Sequence, residues 1–136
     1  MTVKKNSFHR GLLILGAMLG LLAILLGAYE THTLKPQIAE ASAKMFKVGL
    51  RYQMYHAFFA LLVGGFSFIP KGAKTAIFYL TLLGVIFFSG SIYGLSTYQV
   101  THINFGNIAL ITPLGGFLLI AAWIVLTVNL LKIKAK

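Results

Sequence analysis

Four apolar stretches, each long enough to cross a bilayer, run through this chain, and its Lys and Arg residues collect mostly at their ends. A helix needs about 20 apolar residues to span the hydrocarbon core. The stretches cover residues 11–29, 49–69, 75–95 and 108–131, which is most of the 136-residue length. We therefore expect a single integral membrane domain, 1–136. The predicted fold is an all-α membrane protein with four transmembrane helices in an antiparallel bundle.

The composition supports this prediction and excludes several classes of function. Apolar residues make up 58% of the chain and charged residues 10%, whereas about 25% of the residues in soluble proteins are charged. A net charge of +10 is typical of nucleic-acid binding, but these basic residues flank the spans, as membrane topology requires. We expect membrane lipids as partners, through their anionic head groups, and no nucleic acid. The absence of cysteine excludes disulfides and Cys-ligated metals.

The charge distribution predicts a multi-pass protein with both termini in the cytoplasm. With that orientation, eight basic residues lie inside and four lie outside, where both acids, Glu30 and Glu40, also lie. Basic residues favour the cytoplasmic side. The reverse orientation stays open because the first outer loop is itself basic. The inner residues are Lys4, Lys5, Arg10, Lys71, Lys74, Lys132, Lys134 and Lys136, and the outer ones are Lys35, Lys44, Lys47 and Arg51.

The outer loop between the first two spans has a helical pattern of its own. Pro36 suits a first helical turn, Glu40 and Lys44 form an i,i+4 pair, and apolar residues recur at spacings of three and four. We expect a short amphipathic helix over about 36–47 that lies at the interface or runs into the second span. Gly49 is the predicted bend.

Small residues predict where helices approach closely. Gly16 and Gly20 form a G-x-x-x-G motif in the first span, and Gly90 and Gly94 form another in the third. Such stripes fit tight packing within the bundle, and they fit equally well a homo-oligomer or a membrane-protein partner. The predicted helix-packing residues are Gly16, Gly20, Gly27, Gly90, Gly94 and Gly116.

Polar side chains cluster in the outer half of the predicted bundle. At 1.5 Å per residue, His56 lies roughly 10 Å below the outer end of the second span, at nearly the depth of Ser89 and Ser91. Ionisable groups inside a membrane are costly and usually face a bundle interior, which makes them candidates for a functional site. The candidate cluster contains Glu30, His32, Arg51, Tyr52, Gln53, Tyr55, His56, Ser89, Ser91 and Thr112.

Several readings of this cluster stay open. The tyrosines fit an interfacial aromatic belt, and Arg51 fits a side chain that extends to the head groups. His56 is predicted to face inward and bond a polar group of another span, with Ser89 or Ser91 as candidate partners, because an unpaired imidazole in hydrocarbon is costly. We expect Trp123 to be lipid-facing or packed rather than part of a site.

The sequence carries no catalytic signature and no established metal motif. Glu30, His32 and His56 are of residue types that suit Zn or Fe, but their spacing matches no known metal-binding pattern, so we assign no metal and leave the cofactor unknown. The chain has no G-x-S-x-G motif, no P-loop and no aspartate.

Four ordered blocks resemble the signature blocks of a known family. They are Gly27-Ala28-Tyr29-Glu30-Thr31-His32, Tyr52-Gln53-Met54-Tyr55-His56-Ala57, Phe88-Ser89-Gly90-Ser91-Ile92-Tyr93 and Thr112-Pro113-Leu114-Gly115-Gly116. They are similar to the GAFGAH, YQMYHA, FSGSLY and TPIGG blocks of a small bacterial membrane family called domain of unknown function 423.

That resemblance implies a multi-span protein of the bacterial plasma (inner) membrane whose function is not established. The chain departs from the family pattern at Glu30 and Thr31, where the family typically has Gly-Ala. A carboxylate at this position is suited to pair with His32 or Arg51. A site that contains Glu30 would then be peculiar to this branch of the family.

Three hypotheses for function follow. The leading one is a non-catalytic bundle that interacts with lipid or acts as a scaffold or accessory subunit, because the chain leaves little room for a catalytic apparatus. The second is a small unit that binds or transports an ion, a proton or a lipophilic molecule. The third is an outer-leaflet membrane enzyme that uses His56 as a general base, since histidine titrates near neutral pH.

Overall fold

The computed structural model describes residues 8–104 and 109–134, and all regular secondary structure in these ranges is helical. The long helices are α1 (Arg10–Tyr29), α2 (Glu40–Gly65), α3 (Lys71–Val85) and α6 (Ile111–Leu131), and two short ones are α4 (Ser91–Ser96) and α5 (Tyr98–Thr101). A π-helical turn, Ile86–Gly90, joins α3 to α4. A π-turn, Glu30–Leu34, and a 3-10 turn, Lys35–Gln37, extend α1.

Three continuous helical segments are long and apolar enough to cross a membrane: Arg10–Gln37, Lys71–Ser96 and Ile111–Leu131. The second predicted span, α2, is 26 residues long but does not reach the same apolar composition. Arg51, Gln53 and His56 lie near its middle, among apolar residues. Length and composition therefore identify three of the four predicted spans. The first residue of the fourth predicted span, Ile108, lies outside the described ranges.

The predicted amphipathic helix is part of α2, which is the second of its two predicted arrangements. Pro36 lies in the 3-10 turn and Ile38 is extended, and the helix that starts at Glu40 runs into the second predicted span without interruption. The predicted bend at Gly49 is wrong, because Gly49 lies inside α2. A Cβ there would come within 2.7 Å of the Tyr93 ring, so this glycine permits close packing rather than bending.

The helices pack as two antiparallel pairs, α1 with α2 and α3 with α6, and α2 joins the pairs through α3 and α4. Where α1 begins, the His9 amide donates to the Gly64 carbonyl at the end of α2, over 2.8 Å. The end of the molecule where α1 begins, which we call the lysine end, carries Arg10, Lys71, Lys74 and Lys132. The opposite end, which we call the loop end, carries residues 30–39 and α5. The buried apolar core lies between the two pairs.

Glycines set the closest contacts within each pair. A Cβ at Gly16 would meet the Ala57 carbonyl at 2.7 Å, and one at Gly64 would meet Leu12 at 2.9 Å. In the other pair, Gly84 packs closely against Leu119. Gly115 lies against the backbone of residues 87–88, at the π-turn.

Candidate functional site

Gln53 lies at the centre of a buried polar network that joins three helices. The side chain, on α2, is 4% exposed. Its amide nitrogen donates to the Leu19 carbonyl of α1 over 2.9 Å, and its oxygen accepts from the Tyr93 hydroxyl of α4 over 2.6 Å. A buried amide that leaves its groups unpaired is costly. These two bonds therefore fix the positions of α1 and α4 against α2.

The π-turn brings two serines into contact with neighbouring helices. Ser89 is 1% exposed and donates to the Gly49 carbonyl of α2 over 2.7 Å. Ser91 donates to the Phe88 carbonyl over 2.9 Å, and its oxygen lies 2.5 Å from the Thr112 hydroxyl of α6. Because residues two apart point to nearly opposite sides of a helix, Ser89 faces α2 while Ser91 faces α6.

His56 faces inward, as the depth argument predicted, but its partner differs from the predicted one. The side chain is 3% exposed. Nδ1 lies 2.7 Å from the Tyr52 carbonyl, which can only accept, so Nδ1 carries the proton. Nε2 is then an acceptor, and the Trp123 indole N–H of α6 donates to it over 3.1 Å. The predicted bridge to Ser89 or Ser91 is wrong, since the bonds of those serines go to Gly49, Phe88 and Thr112.

An open groove lies beside the His56–Trp123 bond. Its volume is about 630 Å³, and its lining is almost wholly apolar and aromatic. A recess of about 310 Å³ lies nearby and shares Tyr52, His56 and Trp123 with it. The groove is lined by Tyr52, Tyr55, His56, Phe58, Phe59, Leu62, Phe66, Trp123 and Leu126.

Aromatic rings build the walls of this groove. The Phe59 and Trp123 ring centroids lie 4.3 Å apart, and Tyr52 contacts both Tyr55 and Phe88 with centroids 5.6 and 5.0 Å apart. Contacts at these distances stabilise aromatic pairs beyond the area they bury. Tyr52 and Tyr55 are 39% and 53% exposed, so they form the rim of the groove at the side nearer the loop end.

Glu30 is buried without an ionic partner among the described residues. It is 1% exposed and begins the π-turn after α1. Oε2 accepts from the Thr31 hydroxyl over 3.3 Å, and Oε1 has no hydrogen-bond partner. The ion pair expected with His32 or Arg51 is absent from the described ranges, where the salt bridge found joins Lys44 to Glu40 over 3.8 Å.

The predicted cluster therefore divides into a buried part and an exposed part. Arg51 and His32 are exposed on the surface, whereas the Gln53 network and the His56–Trp123 bond are built from other residues. In the described part of the chain, no group of three acidic or histidine side chains converges, so Glu30, His32 and His56 form no metal site there. The buried part contains Glu30, Gln53, His56, Ser89 and Ser91.

The predicted packing glycines behave differently from one another. Gly16 makes a close contact, while Gly20, Gly27 and Gly116 have ordinary neighbours, with the nearest atoms 3.7–3.9 Å from a Cβ. A Cβ at Gly90 would have no atom within 4 Å, and this glycine is exposed. Gly94 is half-buried in α4.

Sequence reasoning missed two members of the site, Trp123 and Tyr93. Trp123 was expected to be lipid-facing or packed; it is 46% exposed, yet its N–H bonds His56. The available signal was its depth, because Trp is enriched at membrane interfaces and Trp123 lies well inside α6. For Tyr93, the signal is its i,i+4 spacing from Ser89, which places it on the face of that buried serine.

Long apolar helices that are joined by buried hydrogen bonds are typical of an integral membrane protein, and this chain is one. The family model described as protein of unknown function (DUF423) matches residues 26–116. The chain belongs to this family, as its four sequence blocks predicted.

Curated relatives agree with this assignment. The chain is 37% identical over 124 residues to the UPF0382 membrane protein YwdK of Bacillus subtilis (strain 168), covering 88% of this chain and 95% of the relative. It is 32% identical to the UPF0382 membrane protein SH2409 of Staphylococcus haemolyticus, with 88% and 94% covered. It is 29% identical to the UPF0382 inner membrane protein YgdD of Escherichia coli (strain K12), with 93% and 94% covered. No solved structure matches significantly.

Proposed function

We propose that this membrane protein is a non-catalytic, four-span bundle of the bacterial plasma membrane that holds a lipid chain in the groove between α2 and α6. The groove of about 630 Å³ carries this proposal. It runs along α2 from Tyr52 to Phe66, roughly 21 Å at 1.5 Å per residue. One leaflet of the hydrocarbon core is about 15 Å thick. The groove is therefore long enough to surround a bound lipid chain with apolar side chains through the whole leaflet.

The fourth span in this proposal is α2. Its length of 26 residues corresponds to roughly 39 Å, which exceeds the hydrocarbon thickness of about 30 Å. Its polar groups do not argue against insertion, because Gln53 and His56 are bonded to other helices. Both termini then lie on one side, and the basic residues of the lysine end favour the cytoplasm.

The geometry of His56 favours binding over catalysis. A general base needs a free lone pair within hydrogen-bond distance of the substrate proton. The only lone pair of the His56 ring accepts from Trp123, and the other ring nitrogen donates to the Tyr52 carbonyl. In this arrangement His56 is an interhelical bonding group in the floor of an apolar groove.

The experiment compares two leucines of equal exposure. Leu62 lines the groove and is 58% exposed, whereas Leu25 on α1 lies outside it and is 56% exposed. Leu62→Phe is expected to fill part of the groove and to lower the number of lipids that the purified protein retains in native mass spectrometry. Leu25→Phe is expected to retain as many as the wild type. Equal retention by the two variants would contradict the proposal.

A second candidate function, binding or transport of a proton or cation, is favoured by one observation at the loop end. The Glu30 carboxyl is 1% exposed and Oε1 has no partner among the described residues, which is a costly arrangement for a charged carboxylate. In proteoliposomes, this function predicts proton or cation flux that Glu30→Gln abolishes. Flux that Glu30→Gln leaves unchanged, or no flux in the wild type, would exclude it.

A further inference from the structure

The face of α2 that lines the groove continues toward the loop end with basic side chains. Lys47, Arg51, Tyr55, Phe58 and Leu62 follow one another at spacings of three and four residues, which places them on one side of the helix. The last three of these residues line the groove. Arg51 therefore lies one helical turn beyond the end of the groove, and Lys47 lies one turn beyond Arg51.

Lys47 and Arg51 are exposed and have no acidic partner in the part of the chain that the structure describes. The salt bridge found there joins Lys44 to Glu40 over 3.8 Å. The other acid of the chain, Glu30, is 1% exposed. A guanidinium carries several N–H donors in a planar fork, and no side-chain hydrogen bond within the described ranges uses those of Arg51. Both cations can therefore bind an anion from outside the chain.

The direction of the helix sends these charges toward the membrane surface. In an α-helix the Cα–Cβ bonds tilt toward the N-terminus, and α2 begins at the loop end, at Glu40. Arg51 is therefore directed away from the apolar groove and toward the region where lipid phosphates lie. From Arg51 to Leu62 the helix rises roughly 17 Å, which is close to the thickness of one leaflet, about 15 Å. A lipid with its phosphate at Arg51 thus has its chain beside the groove throughout the leaflet.

The side of the membrane adds to this argument. In the orientation proposed above, the loop end faces the outside of the cell, where Lys and Arg are less frequent than on the cytoplasmic side. Lys47 and Arg51 therefore do not serve as a topology signal. Cations that have no acidic partner among the described residues, in line with an apolar groove, match the charge and the shape of an anionic amphiphile.

We infer that the lipid held in the groove is an anionic phospholipid of the leaflet at the loop end, whose phosphate binds Arg51 while an acyl chain lies along Tyr55, Phe58 and Leu62. The inference rests on the lipid-chain binding proposed above and adds the class of the lipid. A guanidinium binds two phosphate oxygens at once. The charge of Lys47 disfavours a head group, such as choline, that carries a positive charge beside its phosphate.

The experiment compares two lipids that differ only in their head group. Phosphatidylglycerol and phosphatidylcholine with the same brominated acyl chains are titrated into the full chain in nonionic detergent. Quenching of Trp123, which lines the groove, reports chain binding. Arg51→Gln removes the guanidinium of an exposed side chain. Lys35→Gln is the matched control, because it removes an exposed cation of the loop end that lies in the 3-10 turn, outside α2.

We expect the wild type and Lys35→Gln to bind phosphatidylglycerol at least about tenfold more tightly than phosphatidylcholine, since a hydrogen bond to a charged group is worth this much. Arg51→Gln is expected to lose most of that preference. Equal affinities for the two lipids in the wild type would overturn the head-group assignment and leave chain binding intact. A preference that Arg51→Gln retains, or that both variants lose equally, would also overturn it. If neither lipid gives saturable quenching, the proposal of chain binding itself fails.

Discussion

The indole N–H of Trp123 donates to Nε2 of His56 over 3.1 Å, and this bond links α6 directly to α2. Elsewhere α6 packs mainly on α3 and its π-turn. The bond therefore spans the floor of the groove and closes it on one side. It also gives the buried imidazole of His56 a partner on another helix.

Removal of this bond should loosen α6 from α2. Trp123→Phe keeps an aromatic ring but deletes the donor, so we expect a loss of about 0.5–1.7 kcal/mol, the range for interhelical hydrogen bonds in membranes. A double-mutant cycle with His56→Phe, measured by unfolding in bicelles, checks the assignment. A coupling energy of zero between the two substitutions would contradict a direct bond.

The Gln53 network leads to a similar prediction, and an exposed tyrosine serves as the control. Tyr93→Phe removes the donor to the buried Gln53 oxygen and should cost about 1 kcal/mol or more, because that oxygen is left without a partner. Tyr98 is 53% exposed, and Tyr98→Phe should leave the unfolding midpoint unchanged. Equal effects of the two substitutions would show that the hydrogen bond from the Tyr93 hydroxyl does not stabilise the fold.

Glycines at the α3–α6 contact should be intolerant of a methyl group. A Cβ at Gly115 would collide with the backbone of Phe88, so Gly115→Ala should cost about 1–3 kcal/mol, the usual cost of overpacking. Gly90→Ala meets open space and should cost nothing in the isolated chain. Comparison of the thermal midpoints and expression levels of the two variants tests this difference. If Gly115→Ala does not lower stability, α6 lies farther from the π-turn than this structure places it.

His9 should make stability depend on pH. Its Nδ1 accepts from the Leu12 amide over 3.0 Å and caps α1, and burial, with Lys74 and Lys71, lowers its pKa from 6.5 in the folded state. The unfolded chain therefore binds a proton more readily, so this contribution is present above pH 6.5 and is lost as the pH falls through the folded-state pKa.

In His9→Asn, the asparagine side chain still caps α1, but it does not titrate. Unfolding midpoints between pH 8 and pH 5 should fall for the wild type and fall less for His9→Asn. Parallel profiles for the two proteins would show that His9 is not the titrating cap.

The sequence predicts the long helices, because their apolar length determines them, and it predicts the inward orientation of His56, because an unpaired imidazole in hydrocarbon is costly. It does not predict Trp123 as the partner. That contact depends on which helix lies across from α2, and the connection between α4 and α6 does not specify this. Ser89, a predicted partner of His56, donates to the Gly49 carbonyl instead.

The glycine pattern shows the same limit. A spacing of four identifies small residues on one helix face, but not whether another helix meets that face. Gly90 belongs to such a motif and has open space around it, whereas Gly84 and Gly115, which belong to no such motif, make close contacts. For Glu30, the sequence suggests a partner for the carboxylate, yet the π-turn buries it away from the exposed Arg51 and His32.

Trp123 is the single tryptophan of the chain, and it lines the groove, so its fluorescence reports directly on the central claim of lipid-chain binding. The measurement is quenching by phosphatidylcholine with brominated acyl chains, titrated into the protein in excess detergent. A groove that holds a lipid chain predicts quenching that saturates near one lipid per protein and that Leu62→Phe weakens while Leu25→Phe does not. Quenching that follows the bulk lipid fraction without saturation, equally in all three proteins, would contradict it.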